Sequence, residues 1–316
     1  MAHRLHPQHP MRISSPSDRP ARDHRASPPH IVGVVESERP PEQVADHTPP
    51  TTLVILEALR AAGETELERG AGPSTWSGVA GGLVMGISVT AAGLLHAHLP
   101  DATWRPLVAA FGVTLGFVVV IIGRFGLITE VAVSSTLPLL ASPSRATTMK
   151  LLRLVGCVLV GNLIGAALFA LVAARTELFT PETRAAFLTI GERALAPPFA
   201  VLVLRALAAG WLVGLATWSV AAAPSARVSL VVLILWPLGA AELAHVITGS
   251  VETLTVVFSG EASFLDFVGF FTPVLLGNLI GGAVLVASLN HLQVAREQRR
   301  ARAARAHGQA PGVSRS

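Results

Sequence analysis

Charge is scarce in this 316-residue chain. Only 14% of its residues are Asp, Glu, Lys or Arg, against 51% hydrophobic, and the mean hydropathy is +0.56. A soluble domain carries about 25% charged residues. The shortfall is concentrated: 76–100, 154–174, 206–226 and 267–290 hold no charged side chain at all. Each stretch approaches the ~20 residues with which a helix crosses ~30 Å of hydrocarbon. A soluble fold, whose helices keep polar faces, is excluded, and the chain reads as an integral membrane protein. Cysteine is almost absent too. Cys157 stands alone inside an apolar run, which excludes an intrachain disulfide and a cysteine metal site. Lysine is reduced to Lys150, so arginine dominates the positive charge, and the formal net charge is +4. Basic residues crowd the first 70 positions and the tail "REQRRARAARAHGQAPGVSRS". On a membrane chain that distribution marks cytoplasmic flanks rather than a nucleic-acid surface.

Other absences narrow the function. There is no phosphate loop, dinucleotide fingerprint or Ser/His/Asp spacing, so an energy-coupled pump or an enzyme has no residues to stand on. No H-E-x-x-H surrounds any histidine, which argues against a zinc protease. Neither a cofactor nor a metal is expected. The first fifty residues lack the apolar core of a signal peptide. Their Pro, His, Ser and Arg content predicts a disordered cytoplasmic tail over 1–52, and His3, His6, His9, His24 and His30 are read as solvated rather than metal-binding. An amphipathic pre-membrane helix is expected over 53–70, a membrane domain over 71–292, and a basic cytoplasmic tail over 293–316.

What is present is a repeat. "GNLIG" occurs at 161–165 and again at 277–281. "GGLVMGI" (81–87) matches "AGWLVGL" (209–215) at an offset of 128, and "LITEVAVS" (127–134) sits against "VITGSVET" (246–253) at an offset of 119. Three anchors in the same order predict two related halves. Uninterrupted helices are expected near 75–98, 151–174, 199–222 and 266–290. Between the members of each pair lies a segment, 106–141 or 229–260, broken by glycine and polar residues. Each half then reads as helix, broken helix, helix. Three crossings being odd, the second half must enter from the opposite side: an all-α inverted repeat of six spans, with its site near the midplane where the broken helices meet.

The flanks set the orientation. Arg145, Lys150, Arg153 and Arg227 are placed inside with both termini, and the 99–105 turn, the mixed-charge loop 175–197, Glu261 and Asp266 outside. Gly161/Gly165 and Gly277/Gly281, like Gly82/Gly86 and Gly210/Gly214, form G-x-x-x-G pairs that let helix backbones approach. Asn162 and Asn278 are suited to bonding across helices, with a pore-lining role as the alternative.

Backbone breaks at membrane depth survive only where protein or water satisfies the freed groups, and titratable residues there are functional candidates. "IGRFGLITEV" (122–131) and "AELAHVITGSVE" (241–252) are the two candidate breaks. His245 is the one histidine far from a helix end. It suits either a proton-linked step beside a water path or a structural bond to a carbonyl. Arg124, Glu130, Glu242 and Glu252 read as structural ion pairs or, for Arg124, as a source of positive potential for an anion. Thr129, Thr248 and Ser250 can satisfy broken backbone or line a pore, and Leu127, Ile128, Val246 and Gly249 complete the two loops.

With these residues in view, the chain resembles the formate/nitrite transporter family over about 53–292. The features that carry the resemblance are the six-span repeat, "GLITEV" in the first break, a lone histidine in the second, and "PVLLGNLIGGAV" in the last helix. "LEALRAAGETELERG" (56–70) and "SVETL" (250–254) look more like its YfdC-like branch than the formate or nitrite channels. The resemblance implies an aquaporin-like protomer in a homopentamer in the cell inner membrane. Each pore would have two apolar constrictions flanking a central histidine, matched by His245, with Thr129 matching the threonine of the first loop. Small monovalent anions or weak acids would be the substrates. The family pattern G-x-E-L-F-T-G-N reads "RFGLITEV" here, so Gly126, Ile128 and Val131 replace an acid, an aromatic and an asparagine. Gly249 replaces the asparagine after the histidine, and Glu130 adds negative charge. "ELFT" at 177–180 is a decoy in the outer loop. The alternatives are a pore for a neutral solute and a non-transporting scaffold.

Overall fold

A computed structural model describes residues 50–290 and 292–294, and every described element is helical. Residues 1–49, with the five N-terminal histidines, and 295–316, with most of the basic tail, lie outside the described part. The chain begins with α1 (Thr52–Glu68), capped by the Thr51 hydroxyl on Val54 N–H. It is amphipathic: Ile55, Leu56, Leu59 and Leu67 are buried, and its charged residues face away. Two long apolar helices follow, α2 (Ala71–His98) and α3 (Arg105–Gly123). A four-residue break leads to α4 (Ile128–Ala141), and α5 (Arg145–Arg175) closes the first half. In the second half α7 (Phe199–Ala222) is followed by α8 (Arg227–Ala240), a five-residue break, α9 (Val246–Ser259) and α10 (Phe264–Leu279), which continues as a π-helix over Ile280–Ala287.

Five helical stretches are long and apolar enough to cross a membrane: α2, α3, α5, α7, and α10 with its continuation. The shorter apolar helices α4, α8 and α9 lie beside the two breaks. Large apolar side chains such as Trp76, Phe111, Leu204 and Leu233 point outward, as lipid-facing or subunit-facing positions do. The interior is built from small residues and a chain of buried Leu, Ile, Val and Phe side chains.

One element departs from the reading of the sequence. The stretch 175–197 is not merely a loop: it holds α6 (Pro181–Leu195). Thr180, the last residue of the decoy "ELFT", is its N-cap and Pro181 occupies the first turn, the arrangement that starts a helix. Its charged residues mask it as a loop in the sequence. Phe187 anchors it, buried and edge-on to Phe179 at 5.0 Å.

The repeated glycines act where backbones meet. A Cβ on Gly161 would collide with the carbonyl of Thr75, and one on Gly165 with that of Val79. In the other half a Cβ on Gly277 would meet the carbonyl of Val203, and one on Gly281 that of Leu207. Gly82 abuts the carbonyl of Asn162 and Gly210 that of Asn278. The α2–α5 pair is thus packed like the α7–α10 pair, residue for residue, at the offsets 128 and 116 seen in the sequence.

Candidate functional site

Both broken helices are built by one device. α3 ends at Arg124 in the left-handed conformation (φ 53°), and the first break then extends to Leu127. α8 ends near Glu242 (φ 49°), and the second break extends to His245. A left-handed backbone costs a non-glycine residue roughly 1–2 kcal/mol, so neighbouring contacts must hold it. Phe125 N–H returns to Val120 O at 3.1 Å and Leu243 N–H to Leu238 O at 2.9 Å. An asparagine then anchors each break. Asn162 donates to the carbonyls of Gly78 (2.8 Å) and Gly126 (2.7 Å) and accepts from Ile128 N–H (3.0 Å). Asn278 donates to Ala206 (2.8 Å) and Ala244 (2.9 Å) and accepts from Val246 N–H (2.8 Å). Both asparagines are buried, and each saturates backbone groups that lipid could not.

These bonds correct the register of the repeat. Side-chain likeness aligns Leu127 with Val246, an offset of 119. The hydrogen bonds pair Gly126 with Ala244, Leu127 with His245 and Ile128 with Val246, an offset of 118. Backbone satisfaction fixes the register, and the matching "IT" dipeptides are displaced from it by one residue.

His245 therefore stands at the N-cap position that Leu127 holds in the other half. Its ring is buried at 2% exposure and lies edge-on to Phe117 at 4.9 Å. Nδ1 caps α9, accepting Thr248 N–H at 3.3 Å, with Thr248 Oγ1 3.2 Å away. An acceptor at Nδ1 places the neutral ring's proton on Nε2, which donates to Thr129 Oγ1 at 3.1 Å. The two breaks thus meet in one contact, the histidine of the second against the threonine of the first. Thr129's hydroxyl hydrogen has no acceptor among the described residues and can turn to a passing oxygen. Leu127, Ile128, Val246 and Ile247 wall this contact, each 1% exposed or less. Ser250 is buried and bonds back to Val246 O at 2.6 Å, satisfying helix rather than opening to space. Gly249 is required bare because Phe270's ring occupies the place of a Cβ.

A cavity of about 140 Å³, lined in part by Ile190, Arg193 and Ala194 of α6, reaches His245. Thr248, Gly249 and Glu252, one face of α9, line it together with His96, Arg193 and Arg205. The sequence reading did not single out Arg193 or Arg205. Arg193 sits in the helix read as loop, and Arg205 near the start of an otherwise uncharged one. His96 Nε2 is buried there without a hydrogen-bond partner among the described residues.

The four charged candidates do not gather into one cluster. Arg124 is exposed and has no ion pair among the described residues. Glu242 is exposed and pairs with Arg205 at 3.6 Å, pinning the second break to α7. Glu130 and Glu252 are half-buried, and neither side chain has a hydrogen bond or ion pair among the described residues. Glu130 is not among the residues lining the cavity and lies within electrostatic reach of Glu66 on α1. At the end of α1 Lys150 bonds Glu68 at 2.6 Å, and Arg153 clasps the carbonyls of Leu67 and Arg69. Among the described residues no group of His, Cys, Asp or Glu could hold a metal ion.

Comparison with known proteins places this architecture. The family profile "Formate/nitrite transporter" matches residues 53–292. The inner membrane protein YfdC of Escherichia coli (strain K12) is 34% identical over 266 residues, 84% of this chain and 86% of its own. Among solved structures, a pentameric formate channel with formate bound superposes with a TM-score of 0.61 at 20% identity, covering 71% of this chain and 98% of that one. An FNT family ion channel gives 0.62 at 20% identity, covering 77% and 96%. At that identity the superpositions speak for the fold, while the profile and the bacterial relative speak for descent: the chain belongs to the formate/nitrite transporter family.

Proposed function

We propose that this protein is a membrane channel for small monovalent anions and their weak acids, with His245 linking permeation to protonation. The observation that carries the reading is the His245–Thr129 contact. Two helix breaks, costly in a membrane, are held by buried asparagines so that, among the described residues, the histidine ending one meets the threonine just after the other inside an apolar wall. A structural bundle needs neither the breaks nor the titratable ring. An isolated anion would face a steep desolvation barrier at such a wall. A proton exchanged at the histidine lets a near-neutral species cross. Imidazolium has no acceptor, so protonating Nδ1 also removes the cap on α9 and leaves Thr248 N–H to the permeant.

In this reading the six spans form an inverted repeat, α2–α5 and α7–α10, each with its broken middle helix. Both termini are cytoplasmic, since Arg145, Lys150, Arg153 and Arg227 lie at one end. The cavity beside α6 then opens to the outside, and Glu130 faces the cytoplasmic approach. The exposed apolar surface suits a homopentamer, which is how the solved formate channel assembles, and the bacterial relative favours the inner membrane. The half-buried carboxylates Glu130 and Glu252 favour one second reading: a pore for a neutral solute or an undissociated acid.

Flux into proteoliposomes of formate, nitrite, acetate, lactate and hydrosulfide tests the proposal. Transport of at least one of these weak acids is expected, faster at pH 5.5 than at 7.0. Silence for all of them between pH 5 and 7.5 contradicts it.

A further inference from the structure

We propose that the cavity beside His245 is a binding site for short-chain aliphatic monocarboxylates, with Arg193 and His96 holding the carboxylate and the ring of Phe270 seating the tail. This deepens the reading of the pathway given above and rests on it. The cavity's volume, about 140 Å³, is close to that of the ~150 Å³ apolar cavity that takes benzene. Six non-hydrogen atoms fit such a space, and the three of formate leave much of it unfilled. The walls suit a hydrocarbon tail. Val113, Leu202, Leu238 and Leu243 line the cavity together with Phe270. Phe270 is buried, and its ring lies where a Cβ on Gly249 would sit. An apolar face is thereby presented one helical turn from His245, and formate has no carbon beyond its carboxylate to place on it.

The order of groups along the cavity separates this apolar part from a cationic one. Gly249 lies one turn and Glu252 two turns beyond His245 in α9, about 10 Å in all. α6 crosses α9 at Glu252, whose carbonyl leaves no room for a Cβ on Gly191. Arg193 follows two residues on, and His96 of α2 is within electrostatic reach of it. Both line the cavity. Arg193 has no ion pair or hydrogen bond among the described residues, and the buried Nε2 of His96 has no partner there. The other charges do not compete for a ligand. Arg205 is committed to Glu242, through its carboxylate at 3.6 Å and its carbonyl at 3.3 Å. Glu252 has no ion partner among the described residues, and burial then favours its uncharged form, a donor toward a carboxylate. A guanidinium and an imidazole N–H thus meet the carboxylate at one end. Each methylene buried at the other end strengthens binding about fourfold.

Isothermal titration calorimetry at pH 7.0, on the assembled full chain in detergent, tests the site. The ligands are sodium formate, acetate, propionate and butyrate, with butyramide as the uncharged control. Dissociation constants are expected to fall roughly two- to fourfold with each added carbon, and butyramide to bind at least tenfold more weakly than butyrate. Ala194 of α6 stands half-buried in the cavity wall. Ala194→Leu should fill the space of the tail, so that butyrate binds no more tightly than acetate. Arg193→Gln should weaken all four acids at least tenfold. Size exclusion checks assembly, and the wild-type series decides even where a variant fails it. Equal affinity along that series overturns the site, as does butyramide binding as tightly as butyrate, or no detectable binding of any acid. A tail dependence unchanged in assembled Ala194→Leu, or affinities unchanged in assembled Arg193→Gln, also overturns it. Formate uptake by the same wild-type preparation in proteoliposomes separates the two readings. Uptake with a flat series leaves the channel standing without the site, and a flat series with no uptake ends both.

Discussion

The first break (124–127) and the second (241–245) are one construction used twice, and they differ at the position that matters most. Each has a left-handed residue, an extended entry to the next helix, and an asparagine that ties three backbone groups together. At the matching N-cap position one carries Leu127 and the other His245, and three residues on Glu130 stands where the other has Thr248. The frame has been kept symmetrical and the chemistry has not. A frame must satisfy the backbone in both halves, whereas the proposed channel needs a proton-handling group once, at the His245–Thr129 contact.

The frame offers the largest effect. Replacing Asn278 by Leu leaves Val246 N–H and the carbonyls of Ala206 and Ala244 without partners, at roughly 1–3 kcal/mol for each buried group. Loss of the assembled protein in detergent, read by size exclusion and thermal unfolding, is expected. Asn162→Leu should match it, since its three bonds are the same. A clear difference between the two would break the equivalence of the halves. Gly82→Ala comes next. Its Cβ would enter the space of the Asn162 carbonyl, and forcing α2 from α5 should lower stability by about 1–3 kcal/mol, with Gly210→Ala as its partner measurement.

The chemistry gives a smaller and one-sided effect. Thr129→Val keeps the shape but removes the acceptor of His245 Nε2–H. One hydrogen bond of ~1 kcal/mol corresponds to a roughly fivefold change in flux with the fold intact. The smallest effect lies at the exposed Lys150–Glu68 pair. The Lys150 ammonium holds the exposed Glu68 carboxyl below its ordinary value through a hydrogen bond and its charge. A carboxyl lowered in the folded state stabilises above its unfolded value, and that contribution is lost as pH falls through the folded one. Lys150→Ala should therefore be slightly destabilising at pH 7 and indistinguishable from wild type once the carboxyl is protonated below its ordinary range. A thermal-shift series from pH 7 down to about 3, below the ordinary carboxylate range, checks this.

Much of the frame was legible in the sequence because lipid imposes strict requirements. Charge-free stretches must be spans, glycines four apart must allow close approach, and a polar run inside an apolar segment must be a break. His245, Thr129, Asn162 and Asn278 stood out because polar groups are costly at such positions. Other features were hidden for physical reasons. Helix α6 is mixed in charge and only moderately apolar, so its pattern is that of a loop until Phe187 is seen to anchor it. The repeat's register was off by one because hydrogen bonds to asparagine constrain backbone, which leaves no trace in side-chain likeness. Arg205 was not singled out in the sequence, because only the fold brings Glu242 to it.

The pH dependence of formate uptake in the wild type and in His245→Ala tests the central claim most directly. The account predicts uptake by the wild type that increases several-fold from pH 7.0 to 5.5, and a variant, still assembled, whose uptake has lost most of that dependence. A His245→Ala protein with the same rate and the same pH profile as the wild type would contradict it.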